Sequence, residues 1–146
     1  MRILFVCTGN ACRSQMAEGF ARALLGPAVT AFSAGLTPKG LDPRAVTVMA
    51  EAGVDIAGQR SKSITALPDV PFDVVVTLCG EGGETCPYVP GAGRRIHAGF
   101  DDPPALAAKA ASEEAALEPY RRVRDAIRDF VLGLPERLHA IQPGGK

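Results

Sequence analysis

Residues 3–6, Ile3-Leu4-Phe5-Val6, are apolar without alternation, so a strand built from them has to be covered on both faces. The turn signal Thr8-Gly9-Asn10 closes this run. A helix then opens at about Arg13 and continues to Leu25, presenting Met16, Phe20, Ala23 and Leu24 at helical spacing before Gly26-Pro27 stops it. A strand covered on both faces and followed directly by a helix is the opening unit of a parallel sheet.

The rest of the chain repeats the alternation. Val29 to Ser33 reads as a second strand ending at Ala34-Gly35, and Pro43 opens a helix to about Ala52 with Ala45, Val46, Val48 and Met49 on its apolar side. A helical turn is expected within Ser61–Ala66, a buried strand over Phe72–Cys79 and a short fourth strand over Arg94–His97. Gly99 to Pro104 is expected to form a loop that does not continue into a helix. From Glu113 to Ile141, Leu117, Tyr120, Val123, Ile127, Phe130 and Val131 predict a long helix that Pro135 kinks or divides. The expected fold is α/β, a single domain over residues 1–146 with an open, mostly parallel four-stranded sheet and helices on both faces. Ligands of such sheets bind at the carboxyl ends of the strands, which would bring Cys7, Cys79 and the Asp101-Asp102-Pro103 loop to one rim.

The chemistry concentrates in Cys7-Thr8-Gly9-Asn10-Ala11-Cys12-Arg13-Ser14. Five residues between Cys7 and Arg13 are enough for a loop whose amides face its own centre, with Gly9 free to take a positive φ. Thr8, Gly9, Asn10, Ala11, Cys12 and Arg13 then form an oxyanion cradle. Arg13 supplies a planar fork and the helix N-terminus a partial positive charge. A thiol in that field ionises readily, which makes Cys7 the expected nucleophile and Ser14 a hydroxyl donor to it. The bland alternative is a buried Cys7 ending a strand, with Arg13 facing solvent. Gln15 and Glu18 are by default solvated positions on the helix.

Sixteen basic and sixteen acidic residues cancel, so no global field points to nucleic acid or to an acidic membrane surface. No apolar stretch approaches the roughly 18 residues that span a bilayer, and the first run is too short for a signal peptide, so a cytoplasmic protein is expected. In that compartment the four cysteines read as catalytic, redox or metal-binding. Their x4 and x6 separations fit structural zinc poorly, and no metal is expected. Cys79 and Cys86 bracket Gly80-Glu81-Gly82-Gly83-Glu84-Thr85, whose glycines let the segment change shape, so one thiol could move toward Cys7 and later toward its neighbour. Cys12 has no place in such a relay and reads as packing or an oxidation liability. His97 reads as a packed or strand-end residue. Asp102, before Pro103, could equally begin a turn.

The C-x5-R-S pattern after an N-terminal strand resembles the low-molecular-weight tyrosine phosphatase superfamily. Gln15-Met16-Ala17-Glu18, Ser33-Ala34-Gly35, Val75 through Cys79, Cys86-Pro87, His97 through Pro103 and Tyr120 through Asp125 narrow this. Together they resemble the thioredoxin-coupled arsenate reductases of that superfamily. The resemblance implies attack of Cys7 on arsenate, protonation of the departing oxygen by Asp102, attack of Cys79 on Cys7 with release of arsenite, and attack of Cys86 on Cys79. Thioredoxin would reduce the resulting disulfide. The implied partners are arsenate, other tetrahedral oxyanions such as phosphate and sulfate, and thioredoxin, with no nucleic acid or membrane, no bound cofactor and a monomeric protein serving arsenic detoxification.

Some members hold potassium through an Asn, a Glu, a Ser and an Asp. Asn10, Glu18 and Ser33 match the first three, but Lys62 stands at the fourth, so its ammonium is expected to replace the cation, pair with Glu18 and hold Asn10. A phosphatase is the nearest rival, although Pro104-Ala105 stand where phosphatases carry ring-binding aromatics, and weak phosphatase activity is an expected by-product. A thiol-based sensor without turnover is a rival of another class.

Overall fold

A computed structural model of the chain describes residues 1–80, 89 and 92–140. Four strands, β1 (Arg2–Cys7), β2 (Thr30–Gly35), β3 (Val74–Thr77) and β4 (Arg94–His97), form one sheet in the order β2-β1-β3-β4, and every pairing is parallel. The helices are α1 (Arg13–Leu24), α2 (Pro43–Glu51), α3 (Pro103–Ala107), α4 (Glu113–Leu132) and α5 (Leu134–Ala140), with a 3-10 turn over Ile64–Ala66.

The unbroken apolar run of β1 has the expected consequence. Ile3 and Phe5 face one core with Met16, Phe20, Val48, Met49, Tyr120, Val123 and Ile127, while Leu4 and Val6 face another with Phe72, Val75 and Val89. Helical cover is uneven. All five α-helices contribute to the first core, and among the described residues the 3-10 turn and its flanks cover the second. Val74 and Val76 share the first core while Val75 faces the second, which is why β3 is apolar at successive positions.

Two expectations about helices need comment. The loop over residues 99–104 does turn into a helix: Asp102 occupies the N-cap and Pro103 the first helical position, where a missing N–H leaves no bond unmade. The C-terminal helix is divided as expected, with α4 ending at Leu132 and Pro135 lying in the first turn of α5. Pro119 lies inside the first turns of α4.

From β1 the chain passes through α1 to β2 on one side, and β3 then pairs on the other side of β1. The carboxyl ends of β1 and β3 are therefore the switch point of the sheet, where a crevice opens between diverging connections. Cys7 ends β1, and Cys79 follows β3 by two residues.

Candidate active site

The loop between β1 and α1 takes its shape from partners outside it. Its carbonyls are engaged in succession: Thr8 O by Thr37 N and Gly9 O by Lys39 N, each at 3.0 Å, then Asn10 O by Gln15 Nε2 and Ala11 O by Asp42 N, also at 3.0 Å. Ser61 Oγ adds a second donor to Gly9 O at 3.2 Å. The peptide bonds are trans, so the C=O of one residue and the N–H of the next point opposite ways. With four carbonyls drawn outward, the N–H groups of Gly9, Asn10, Ala11 and Cys12 turn inward. There a cavity of about 250 Å³ is bounded by Cys7, the loop, Arg13, Lys39, Asp102 and Pro104. Converging amides at a helix start suit a tetrahedral anion.

The expectation of a positive φ at Gly9 is corrected. The residue in the left-handed region is Asn10, with φ of 46°, a conformation that Asn tolerates better than most residues. Gly9 is small for another reason: a Cβ there would lie 3.2 Å from Cδ of Lys39, whose stem crosses it. Gly35 closes in from β2, where a Cβ would come within 2.7 Å of Asn10 N.

Ser14 Oγ lies 3.0 Å from Cys7 Sγ and accepts a hydrogen bond from Asn10 Nδ2 at 2.7 Å, which leaves its own proton available to the sulfur. Donors continue behind it. Asn10 Oδ1 accepts from Gln15 Nε2 at 3.0 Å and from Lys62 N at 2.8 Å. Gln15 Oε1 accepts from Gln59 Nε2 at 2.8 Å, and Gln59 Oε1 from Arg22 Nη1 at 3.1 Å. With Ser14 donating to Cys7, these bonds form a series that starts at a guanidinium and ends at a sulfur, every donor facing the same way. Gln15 and Glu18 are thus not solvated: both are buried, because this network takes the polar groups of α1 inward.

Arg13 begins α1 and is buried, with Nη1 donating to Phe100 O at 3.0 Å and Nη2 lying 3.5 Å from Asp102 Oδ1. Cys7, Cys12 and Cys79 are free thiols, all buried. Burial, helped by the charge of Asp42, pushes the Cys12 thiol up well above its ordinary range, which keeps it neutral and agrees with a packing role. Leu78 N bonds Val6 O at 2.9 Å and carries Cys79 to the loop, where its Sγ lies 4.0 Å from Thr8 Oγ1. Cys86 lies outside the described residues.

Glu18, Ser33 and Lys62 meet behind the loop. Glu18 accepts from Ser33 Oγ and from Arg22, and Lys62 Nζ stands 3.8 Å from it. Asn10 is held by the backbone N–H of Lys62 rather than by the ammonium, which instead donates to Arg60 O at 2.8 Å. Burial lowers the Lys62 pKa from its ordinary value, against the pull of Glu18. His97, at the end of β4, sits 2.7 Å from Thr77 Oγ1 through Nδ1, a strand-end contact as expected.

Reading the sequence missed the outer partners. Lys39, Asp42, Gln59, Ser61 and Tyr120, whose hydroxyl donates to Asp42 Oδ2 at 2.6 Å, come from segments far along the chain. Only Asp42 carried a local signal, standing before Pro43 as a helix cap, which it is.

Comparison with known proteins agrees with this geometry. The sequence matches the low molecular weight phosphotyrosine protein phosphatase family over residues 2–142. It is 47% identical over 132 residues to the arsenate reductase of Bacillus licheniformis, covering 88% of this chain and 91% of that one. A solved arsenate reductase in the phosphate binding state superimposes with a TM-score of 0.75 at 33% identity, covering 93% and 97% of the two chains. The thioredoxin-dependent arsenate reductase of Corynebacterium glutamicum shares the fold, with a TM-score of 0.65 at 23% identity over 97% of this chain and 62% of that one. A cysteine loop at the switch point of a four-stranded parallel sheet, matched along almost the whole chain, means that the protein belongs to the low molecular weight phosphotyrosine protein phosphatase family, in the group that contains these arsenate reductases.

Proposed function

We propose that the protein is a cytosolic arsenate reductase, converting arsenate to arsenite for arsenic detoxification through a relay of Cys7, Cys79 and Cys86 that thioredoxin re-reduces. The observation that carries this reading is the second free thiol buried against the loop of the first, with Cys79 Sγ 4.0 Å from Thr8 Oγ1. Hydrolysis of a phosphate ester needs no second thiol, whereas reduction of arsenate needs thiols to give up two electrons.

Arsenate enters the cradle of residues 8–13, where inward amides and Arg13 neutralise its oxygens. Cys7, as thiolate, attacks arsenic, and Asp102 protonates the oxygen that leaves as water, giving a Cys7 sulfur–arsenic bond. Cys79 then attacks Cys7 sulfur. The pair of electrons in the sulfur–arsenic bond passes to arsenic, arsenite departs, and a Cys7–Cys79 disulfide remains. Cys86 attacks Cys79, restoring the Cys7 thiolate and leaving a Cys79–Cys86 disulfide for the thioredoxin dithiol. Two electrons leave the thiols and two reach arsenic. Ser14, Asn10 and Gln15 hold the Cys7 charge between turnovers, and Glu18, Ser33 and Lys62 brace the loop from behind. Lys62 fills the place that potassium takes in some relatives. The protein acts as a monomer without bound cofactor. Slow hydrolysis of phosphate esters accompanies a site shaped for tetrahedral oxyanions.

The test uses Cys86→Ser, reduced and then incubated with arsenate. Peptide mass spectrometry should find a trapped Cys7–Cys79 disulfide after one turnover. Continued arsenite production without that bond would overturn the order of attack. A sensor would stop after one equivalent even in the unaltered chain supplied with thioredoxin, thioredoxin reductase and NADPH, whereas the enzyme continues.

A further inference from the structure

We propose that Lys39 is a second anion-binding cation of the oxyanion cavity, placed at its wall to offset the charge that Arg13 cannot. The inference rests on the reading of this cavity as an oxyanion site and adds a residue to it.

Lys39 belongs to the segment between β2 and α2 that wraps the loop. Its backbone N–H is tied to Gly9 O at 3.0 Å, so its Cα is fixed relative to the cradle. Its stem then crosses Gly9, where an added Cβ would lie 3.2 Å from Cδ and 3.3 Å from Cγ, and the residue forms part of the cavity wall with Cys7, Arg13 and Asp102. A side chain at residue 9 would press on this stem.

Charge explains what the lysine does there. Arg13 has Asp102 only 3.5 Å away, so these two opposite charges largely cancel. Lys39 makes no ion pair with any described residue. Before an anion binds, with Cys7 as thiolate and Asp102 ionised, Arg13, Asp102 and the thiolate sum to one negative charge; Asp102 takes up the proton it later donates only once the dianion has entered beside it. A doubly charged tetrahedral anion would then enter against repulsion. The Lys39 ammonium brings the lining to neutrality. The ligand class is a small inorganic dianion with a charged oxygen facing the mouth, and the effect belongs to capture rather than to the bond-making steps. Because Lys39 is exposed, the attraction is screened by salt.

Inorganic phosphate is the probe, measured by titration calorimetry on the full reduced chain, so that the test does not depend on arsenate reduction. Lys39→Met keeps the stem over Gly9 and removes the charge. Its phosphate Kd should rise about five- to tenfold at low ionic strength, with the gap narrowing as salt is added. Lys39→Arg should stay within about twofold of the unaltered chain. Arg122→Gln, which makes the same change in net charge on exposed surface of α4, should also stay within about twofold. Equal phosphate binding by Lys39→Met, or an equal loss in Arg122→Gln, would overturn the proposal alone. Failure of the unaltered chain to bind phosphate would overturn the oxyanion reading and the proposal together.

Discussion

Asn10 does several jobs with one side chain. Its positive φ turns the loop, its Nδ2 donates to the Ser14 hydroxyl beside Cys7, and its Oδ1 is pinned by Gln15 and by the backbone of Lys62. Lys62 thereby acts on the loop twice, through its amide on Asn10 and through its ammonium beside Glu18 at 3.8 Å. On the proposal that the Lys62 ammonium takes the place of the cation, a dissolved one beside it would meet repulsion. Turnover should accordingly be the same in potassium as in a bulky inert cation at matched ionic strength. A large, specific stimulation by potassium would contradict this role for Lys62.

The segment between β2 and α2 and the long helix α4 hold the cradle at the level of elements. Thr37, Lys39 and Asp42 take three loop carbonyls, and Tyr120 from α4 reaches Asp42 at 2.6 Å, so α4 steadies the loop through Asp42. Helices α2 and α4 are also clamped at their surface. Glu51 at the end of α2 accepts from Arg121 Nε at 3.0 Å and Nη2 at 2.9 Å, and from Arg124 Nη1 at 3.0 Å. Hydrogen bonds from Arg121 lead in holding the Glu51 carboxyl below its ordinary value. A carboxyl whose folded pKa is depressed contributes stability that is complete above its unfolded pKa, about 4.3, and is lost as pH falls through the folded value. The gap in Tm between the unaltered chain and Glu51→Gln should therefore be steady above about pH 5.5 and close on further acidification. A gap that widens in acid would refute the assignment. Exposure of the pair keeps the effect small at any pH.

At the scale of the molecule, the larger core joins the sheet to all five α-helices, and its burial supplies most of the stability. Ile127 is fully buried in that core, two helical turns beyond Tyr120. Ile127→Ala should cost about 2–5 kcal/mol in urea unfolding, from lost transfer energy and a residual cavity. Phosphate binding well below the unfolding transition should not change. Loss of binding at constant stability would mean that the core is coupled to the loop more tightly than this packing implies.

Much of this architecture was legible in the order of residues. Ile3 to Val6 lack alternation because both faces of β1 are covered, and the Cys7 to Ser14 spacing, ending at a helix start, places a thiol and a guanidinium on one loop by local geometry alone. Local signals went astray where a second element intervened. Pro103 and Pro104 looked like a barrier to helix, yet proline at the first helical positions has no bond to lose, and the helix starts directly after Asp102 at the N-cap position. Gln15 and Glu18 looked like solvent-facing residues of α1, but their acceptors and donors arrive from residues 59–62, Ser33 and Arg22. The sequence by itself determined the strands, the cysteine loop and the candidate thiols, since each depends on neighbours within a few residues. Only the tertiary structure decided which carbonyls of the loop are engaged from outside, what pins Asn10 beside Ser14 and where the Lys39 stem crosses Gly9, because those depend on partners dozens of residues away that the fold brings within hydrogen-bonding distance.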